Sequence, residues 1–339
     1  MRHLGLVGPA LVIAGATARA RLAPIWSDTF AAAGIAYTVR TFGGECSRRE
    51  VDAGVSDARG LGCSVIVGVG GGKCLDAARA VAAELDLAVV NCPTLASSDA
   101  PCSALSVVYT DEGEFDRYLF YKRNPDLVLV DTSIVAAAPV RYLVAGMGDA
   151  LATWYEARTV IAAHRPNQVG GGTTMAAGAL ARLCRDTLFA DGGAAKAAVQ
   201  AGSVTPALER TVEANTLLSG LGFESGGLAI AHSVHNGLTV ADGTHAFLHG
   251  EKVAFGLLVQ LIVEGCAETE IDDVVSFSRS VGLPVTLAEV GLHDPPTEVI
   301  EAIAERTVAD GETAHNEPFP VTPALIVDGI RAADERGRI

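Results

Sequence analysis

From its N-terminus to about Val140 the chain alternates short apolar runs with stretches of helical spacing, and this alternation limits its fold more than any other feature. Leu11 to Ala14 precedes Ala18 to Ala33, Ala36 to Arg40 precedes Arg48 to Leu61, and Ser64 to Val69 precedes Leu75 to Leu85. Ala88 to Val90 and Leu127 to Val130 are further strand candidates. Parallel strands need a crossover helix between them, so strand and helix in turn predict βαβ units and a mainly parallel sheet. After Val140 the texture changes to Ala- and Leu-rich stretches with three-to-four spacing: Gly148 to Ala163, Met175 to Phe189, Ala194 to Gly222 and Leu228 to Val240. That half reads as a helical bundle. Pro139 marks the expected boundary between an α/β domain over 1–139 and an all-α domain over 140–339, packed across a cleft.

Charge narrows the function. Forty Asp+Glu against 25 Lys+Arg give a net charge of −15, which argues against a binder of nucleic acid or of an anionic membrane. With 49% hydrophobic residues there is ample surface to bury. The seven cysteines (Cys46, Cys63, Cys74, Cys92, Cys102, Cys184, Cys266) are scattered and form no Cys-x-x-Cys pair, which predicts reduced thiols in the cytoplasm. Val253 to Val263, broken by Gln260, is too short to span a membrane. Arg2, the apolar stretch Leu4 to Ile13 and Ala16-Thr17-Ala18 imitate a secretory signal. We read Ala10 to Ala14 instead as a buried strand, because cleavage there would remove a strand the fold needs.

Three segments carry chemistry. Ser64-Val-Ile-Val-Gly-Val-Gly-Gly-Gly-Lys-Cys-Leu-Asp76 runs from a strand through Gly70, Gly71 and Gly72 into a helix. Glycines let a backbone approach a pyrophosphate, and a helix N-terminus offers free N–H groups to it. The spacing is neither Gly-x-Gly-x-x-Gly nor a P-loop, so a tight turn without a ligand is the other reading. Pro93-Thr-Leu-Ala-Ser-Ser-Asp-Ala-Pro101 and the residues to Ser106 follow the next strand, where open α/β sheets bind ligands. Asp99 there is either a hydroxyl acceptor or a turn residue.

The third segment set is Gly146-Met-Gly-Asp149, Glu224 to Gly237 and His245 to Lys252. Four of the eight histidines fall between His232 and His249. His232 and His235 are one helical turn apart, as are His245 and His249, so each pair is expected on one face. One Asp with neutral imidazoles is a zinc ligand set, with an open position for substrate. His315 is a more distant candidate.

Together these segments resemble the glycerol dehydrogenase branch of the metal-dependent alcohol dehydrogenases, whose fold is shared with dehydroquinate synthase. The phrases that carry the resemblance include Phe42-Gly-Gly-Glu-Cys46, Gly70-Gly-Gly-Lys73, Pro93-Thr-Leu-Ala-Ser97, Asn124-Pro-Asp126, Leu143-Val-Ala-Gly-Met-Gly-Asp-Ala-Leu-Ala-Thr-Trp154, Gly220-Leu-Gly-Phe-Glu-Ser225, His235-Asn-Gly237 and His249-Gly-Glu-Lys-Val-Ala254. They occur in the family's order from about Leu11 to the last helix. The resemblance implies a Rossmann-like nucleotide-binding domain followed by an all-α catalytic domain.

It also implies that Asp149, His232 and His249 hold Zn²⁺. Thr153 stands where iron-dependent relatives have a further His, so three ligands and a substrate oxygen are expected. Gly70, Gly71, Gly72, Lys73, Cys74, Leu75 and Asp76 would cradle the NAD pyrophosphate. Thr94, Leu95, Ala96, Ser97, Ser103, Leu105 and Tyr109 would line the remaining nucleotide site. Asp99 matches the residue that binds a glycerol hydroxyl, and His235 either relays the hydroxyl proton or packs behind the ligands. The implied reaction is hydride transfer from glycerol, or a similar small vicinal diol, to NAD⁺, giving dihydroxyacetone. The same resemblance implies a homo-oligomer, often an octamer; the charge and the cysteines add that it is expected in the cytoplasm with no nucleic acid or membrane partner.

The chain also departs from that pattern. Family members carry an extra strand and helix ahead of the first strand, so either the start lies upstream or the sheet has an exposed edge. At the first βα turn, Gly15 stands where the family has an acid for the adenosine ribose. Arg19 and Arg21 follow, either to accommodate a 2′-phosphate or as a solvated helix face. Rival readings are a glycerol-1-phosphate or cyclitol dehydrogenase on the same scaffold, and a dehydroquinate-synthase-like lyase; both phosphate readings sit poorly with only four lysines.

Overall fold

The computed structural model describes residues 2–339, which divide into two compact units, one up to Ala138 and one from Pro139. The first unit is built on β1 (Ala10–Ala14), α1 (Ala16–Ala33), β2 (Tyr37–Thr41), α2 (Arg48–Gly60), β3 (Val65–Gly70), α3 (Gly72–Leu85) and β4 (Ala88–Pro93). After them come β5 (Leu105–Tyr109), β6 (Phe115–Phe120), β7 (Leu127–Val128) and α4 (Thr132–Ala136). Five strands form a parallel sheet in the order β2-β1-β3-β4-β7. The chain winds from β1 to one side and then crosses to the other, so winding reverses between β1 and β3. That reversal opens a crevice beyond their carboxyl ends, at Gly15 and at Gly70 to Gly72.

Both faces of this sheet are covered, which is why its central strands are continuously apolar. Leu11, Ile13 and Ile66 pack with Val51, Val55, Ala78 and Val81 on one side. Val12, Val67, Val69 and Val90 pack with Leu22, Trp26 and Phe30 on the other. Gly68 lets α3 lie close, since a Cβ there would come to 2.8 Å from Ala78 Cβ.

β5 and β6 form a separate antiparallel hairpin, turned at Gly113 with φ +92°. A hairpin has no crossover helix, so the alternation of strand and helix in the sequence does not reveal it. Among the described residues β2 pairs only with β1, so it is an edge strand of this sheet.

The second unit is helical: α5 (Val140–Ala162), α6 (Met175–Gln200), α7 (Pro206–Glu213), a π-helical turn (Ala214–Leu218), α8 (Ser219–Gly226) and α9 (Ile230–Leu238) come first. They are followed by α10 (His249–Val263), α11 (Glu268–Val281), α12 (Thr297–Thr307) and α13 (Pro323–Arg338). Two boundaries differ from the sequence reading. Gly192 and Gly193 do not break α6; Gly192 is small because a Cβ would meet the Phe277 ring at 2.9 Å. The break comes at Gly202, with φ +61°, and Thr205 caps α7 from in front of Pro206. The expected helix over Ala194 to Gly222 is therefore four pieces. No helix among the described residues is long and apolar enough to cross a membrane.

Candidate metal centre and nucleotide loop

Glycines bring the second unit's polar side chains together. A Cβ on Gly250 would overlap Ala145 O, and one on Gly148 would overlap Gly250 O, so α5 and α10 cross backbone to backbone there. The residues beside that crossing are Asp149 and His249. Gly256 gives α9 a similar approach to α10, because its Cβ would overlap Ala231 O.

Asp149 is buried on α5, His232 is half-buried on α9, and His249 is exposed as the first residue of α10. His232 Nε2 lies 3.3 Å and His249 Nε2 3.1 Å from Asp149 Oδ1. One ligand atom from each of the three falls within 4.8 Å of the others. Buried Asp149 Oδ2 has no hydrogen-bond partner among the described residues. An orphaned buried carboxylate oxygen costs free energy unless positive charge lies beside it. This donor set therefore fits a divalent ion, and its mixture of imidazole and carboxylate suits zinc.

Glu156, two turns after Asp149 on α5, is the residue the sequence reading missed. It is fully buried, and its Oε2 lies 2.6 Å from His232 Nδ1. Its Oε1 accepts from the N–H groups of Ala229 and His232 at 2.9 and 3.0 Å. A carboxylate only accepts, so His232 Nδ1 carries hydrogen and Nε2 is the nitrogen directed at Asp149. An acid seven residues after a candidate ligand on an apolar helix was the available signal.

Charge in the cluster is strongly coupled. Burial raises the Asp149 carboxyl, but His249 and His232 outweigh it and hold the group well below the usual carboxylate range. Burial depresses His232, yet Glu156 and Asp149 bring it well above an ordinary imidazole. His235 goes the other way: burial first, then His249 and Lys252, hold it well below an ordinary imidazole.

His245 does not share a helix with His249; it follows the short turn Asp242–Thr244, is exposed, and its Nε2 lies 2.9 Å from Thr239 O. His315 Nε2 lies 3.0 Å from Val308 O, outside the trio. Thr153 is buried, with its Oγ1 hydrogen-bonded to Ser219 Oγ at 2.9 Å.

In the first unit α3 begins at the crevice with Gly71 as N-cap and no side chain on its first amides. Those N–H groups can face an anion. Thr94 N–H donates to Gly70 O at 2.9 Å, joining the glycine turn to the segment Thr94, Leu95, Ala96 and Ser97 after β4. A Cβ on Gly71 would touch Leu95 at 3.1 Å, and one on Gly72 would meet Ala100 and Ser98 at 3.5 and 3.6 Å. Lys73 Nζ pairs with Glu45 at 2.6 Å and lies 4.5 Å from the Tyr109 ring centroid.

The side chains of Cys74, Leu75, Asp76, Ala96 and Ser103 are turned into the protein. Burial pushes the Cys74 thiol up to about 12, and Sγ lies 3.5 Å from Ile13 O. Asp76 is expected at the pyrophosphate, but its carboxylate faces Arg79 at 3.2 Å and Val107 N–H at 3.3 Å. Arg79, itself buried, also donates to Ser103 Oγ at 3.2 Å and to the carbonyls of Ala100 and Leu105. It ties α3 to the loop that holds half-buried Asp99, whose carbonyl accepts from Cys102 N–H at 3.1 Å. At Gly15 a Cβ would meet nothing within 4 Å, and Arg19 is exposed with a bond to Thr41 Oγ1.

Residues 2–132 match the family described as iron-containing alcohol dehydrogenase. The chain is 56% identical to a glycerol dehydrogenase of Thermotoga maritima over 88% of this chain and 82% of that protein. It is 54% identical to one of Citrobacter freundii, over 88% of this chain and 81% of the relative. The crystal structure of glycerol dehydrogenase from Schizosaccharomyces pombe superposes with a TM-score of 0.92 at 40% identity, covering 97% of this chain and 84% of that one.

Proposed function

Because this chain belongs to the glycerol dehydrogenase branch of the iron-containing alcohol dehydrogenase family, we propose that it oxidises glycerol with NAD⁺ at a centre held by Asp149, His232 and His249. It is an NAD-dependent, metal-binding oxidoreductase. The single observation that supports the ligand assignment is the convergence of the three side chains on Asp149, with Asp149 Oδ2 left unpaired in the interior among the described residues.

The chemistry supplied by the bound groups is positive charge against a substrate hydroxyl, from the divalent ion, and a hydride acceptor, from the nicotinamide. The chain's own residues do the rest. Glu156 orients His232 and keeps its Nδ1 protonated. The glycine turn Gly70 to Gly72 and the free amides of α3 receive the pyrophosphate, while Lys73 is held over Tyr109 by Glu45. Leu105 and Tyr109, on the hairpin, border the same nucleotide site. Asp99 accepts a hydrogen bond from a glycerol hydroxyl. The scattered cysteines suit a reducing compartment, so we place the enzyme in the cytoplasm as a homo-oligomer, with an octamer as the form to test by light scattering.

The assignment is tested by Asp149→Asn, which keeps shape and removes the shared charge. Zinc content falling to background while NAD⁺ still binds supports it. Retained zinc with retained glycerol oxidation refutes it.

A further inference from the structure

The hydrogen bonds behind His249 run in one direction, and that direction is set at their far end. Asn236 Nδ2 lies 3.0 Å from Glu312 Oε2 and 3.3 Å from Oε1, and Arg306 also donates to Oε1. Gly237 permits this approach, since a Cβ there would overlap Thr307 Oγ1 on α12. A carboxylate only accepts, so the amide nitrogen of Asn236 faces Glu312 and the amide oxygen faces the other way. Asn236 Oδ1 is 3.1 Å from His235 Nδ1, which must then carry the hydrogen. The other ring nitrogen, Nε2, lies 3.0 Å from His249 Nδ1, and a His249 that ligates through its own Nε2 carries its hydrogen on Nδ1 and donates it there. With Nδ1 donating, the lone pair of a ligating His249 is on Nε2, 3.1 Å from Asp149 Oδ1.

We propose that Glu312 is a positioning residue that acts through Asn236 and His235 to hold His249 in the tautomer whose Nε2 lone pair faces Asp149. An imidazole nitrogen and a carboxylate oxygen directed at each other cohere around a proton or a metal ion, and with Nδ1 committed to His235 the Nε2 position is the one left for the ion. Glu156 does the same for His232 in one step, and Glu312 does it in three. In this proposal both nitrogens of His235 are committed to orienting His249, which is the role of a residue packed behind the ligands. The proposal rests on the reading of Asp149, His232 and His249 as the metal ligands.

Two measurements on the full-length protein test it. In the zinc-loaded protein with ¹⁵N-labelled histidine, NMR should find His235 and His249 both protonated at Nδ1. A hydrogen on His235 Nε2 overturns the proposal, and this reading needs no variant. Zinc affinity, measured by competition with a chromophoric chelator, gives the second. Glu312→Gln keeps the shape and the bond to Arg306 but can rotate its amide, so Asn236 loses its imposed direction. We expect zinc binding weaker by about 10-fold or more, as for other groups that orient a metal ligand. Adding Asn236→Asp to Glu312→Gln restores the direction from the other side. The carboxylate introduced at position 236 accepts both from His235 Nδ1 and from the new amide at position 312, which should recover most of the loss. Wild-type affinity in Glu312→Gln, or a double variant no better than the single one, overturns the proposal. Wild-type protein that takes up no zinc would instead overturn the ligand reading beneath it.

Discussion

Glu156 Oε2 lies 2.6 Å from His232 Nδ1, and this buried contact gives one imidazole of the centre a fixed orientation and a fixed tautomer. Replacing it by Gln keeps the volume but substitutes a group that can either donate or accept. Glu156→Gln should weaken zinc binding by about 10- to 100-fold. The check is zinc retained after dialysis against a graded chelator series, with unchanged helical circular dichroism as the control. An affinity equal to wild type would show that Glu156 is only a packing group.

The crossing of α5 and α10 should tolerate no side chain. In Gly250→Ala the new Cβ would overlap Ala145 O, which is backbone and has no free direction in which to move. Overpacking of this kind costs about 1 to 3 kcal/mol. It also separates Asp149 from His249, so both urea stability and zinc content should fall. Loss of stability with zinc content unchanged would mean that the helices part elsewhere.

Arg79 predicts a coupled loss of stability and nucleotide binding. It is buried with Asp76 and carries the carbonyls of Ala100 and Leu105. Arg79→Met leaves the Asp76 carboxylate buried without its partner, which costs about 3 to 5 kcal/mol. The loop from Thr94 to Leu105 should loosen with it, raising the dissociation constant for NAD⁺ measured by fluorescence quenching.

Glu317 gives the chain a pH dependence. Both of its carboxyl oxygens are buried without hydrogen-bond partners among the described residues, and burial, with Glu264 and Glu156 nearby, pushes the group up to about 8. A carboxyl whose folded value lies above its unfolded one favours the folded state at low pH. That stability is complete below its ordinary value of 4.5 and is lost as pH rises through about 8. Glu317→Gln should therefore match wild type near pH 5 and exceed it at pH 9, on the order of a few kcal/mol. Urea midpoints at the two values test this, and equal differences at both would contradict it.

Periodicity was enough for the parallel sheet, because continuous apolar strands separated by amphipathic helices have few other solutions. Asp149 and the four histidines from His232 to His249 stood out because such residue types are rare in apolar surroundings, but the choice of His232 and His249 among them came from the family resemblance. What escaped depended on contacts between distant segments. Glu156 and Arg79 look like ordinary charged residues until folding buries them against His232 and Asp76. His245 sits at helical spacing from His249, yet Gly243 and the turn after Ala241 start a different element. Gly192 looks like a helix break, but it is the space that the Phe277 ring occupies. The hairpin of Leu105–Tyr109 and Phe115–Phe120 has no helix to announce it, so its alternating pattern was passed over.

The most direct test of the central claim is reduction of NAD⁺ by glycerol at mildly alkaline pH, before chelation, after chelation, and after zinc is restored. The account predicts turnover that disappears with the metal and returns with it, while NAD⁺ binding persists throughout. Undiminished turnover in protein shown to be free of metal would contradict it.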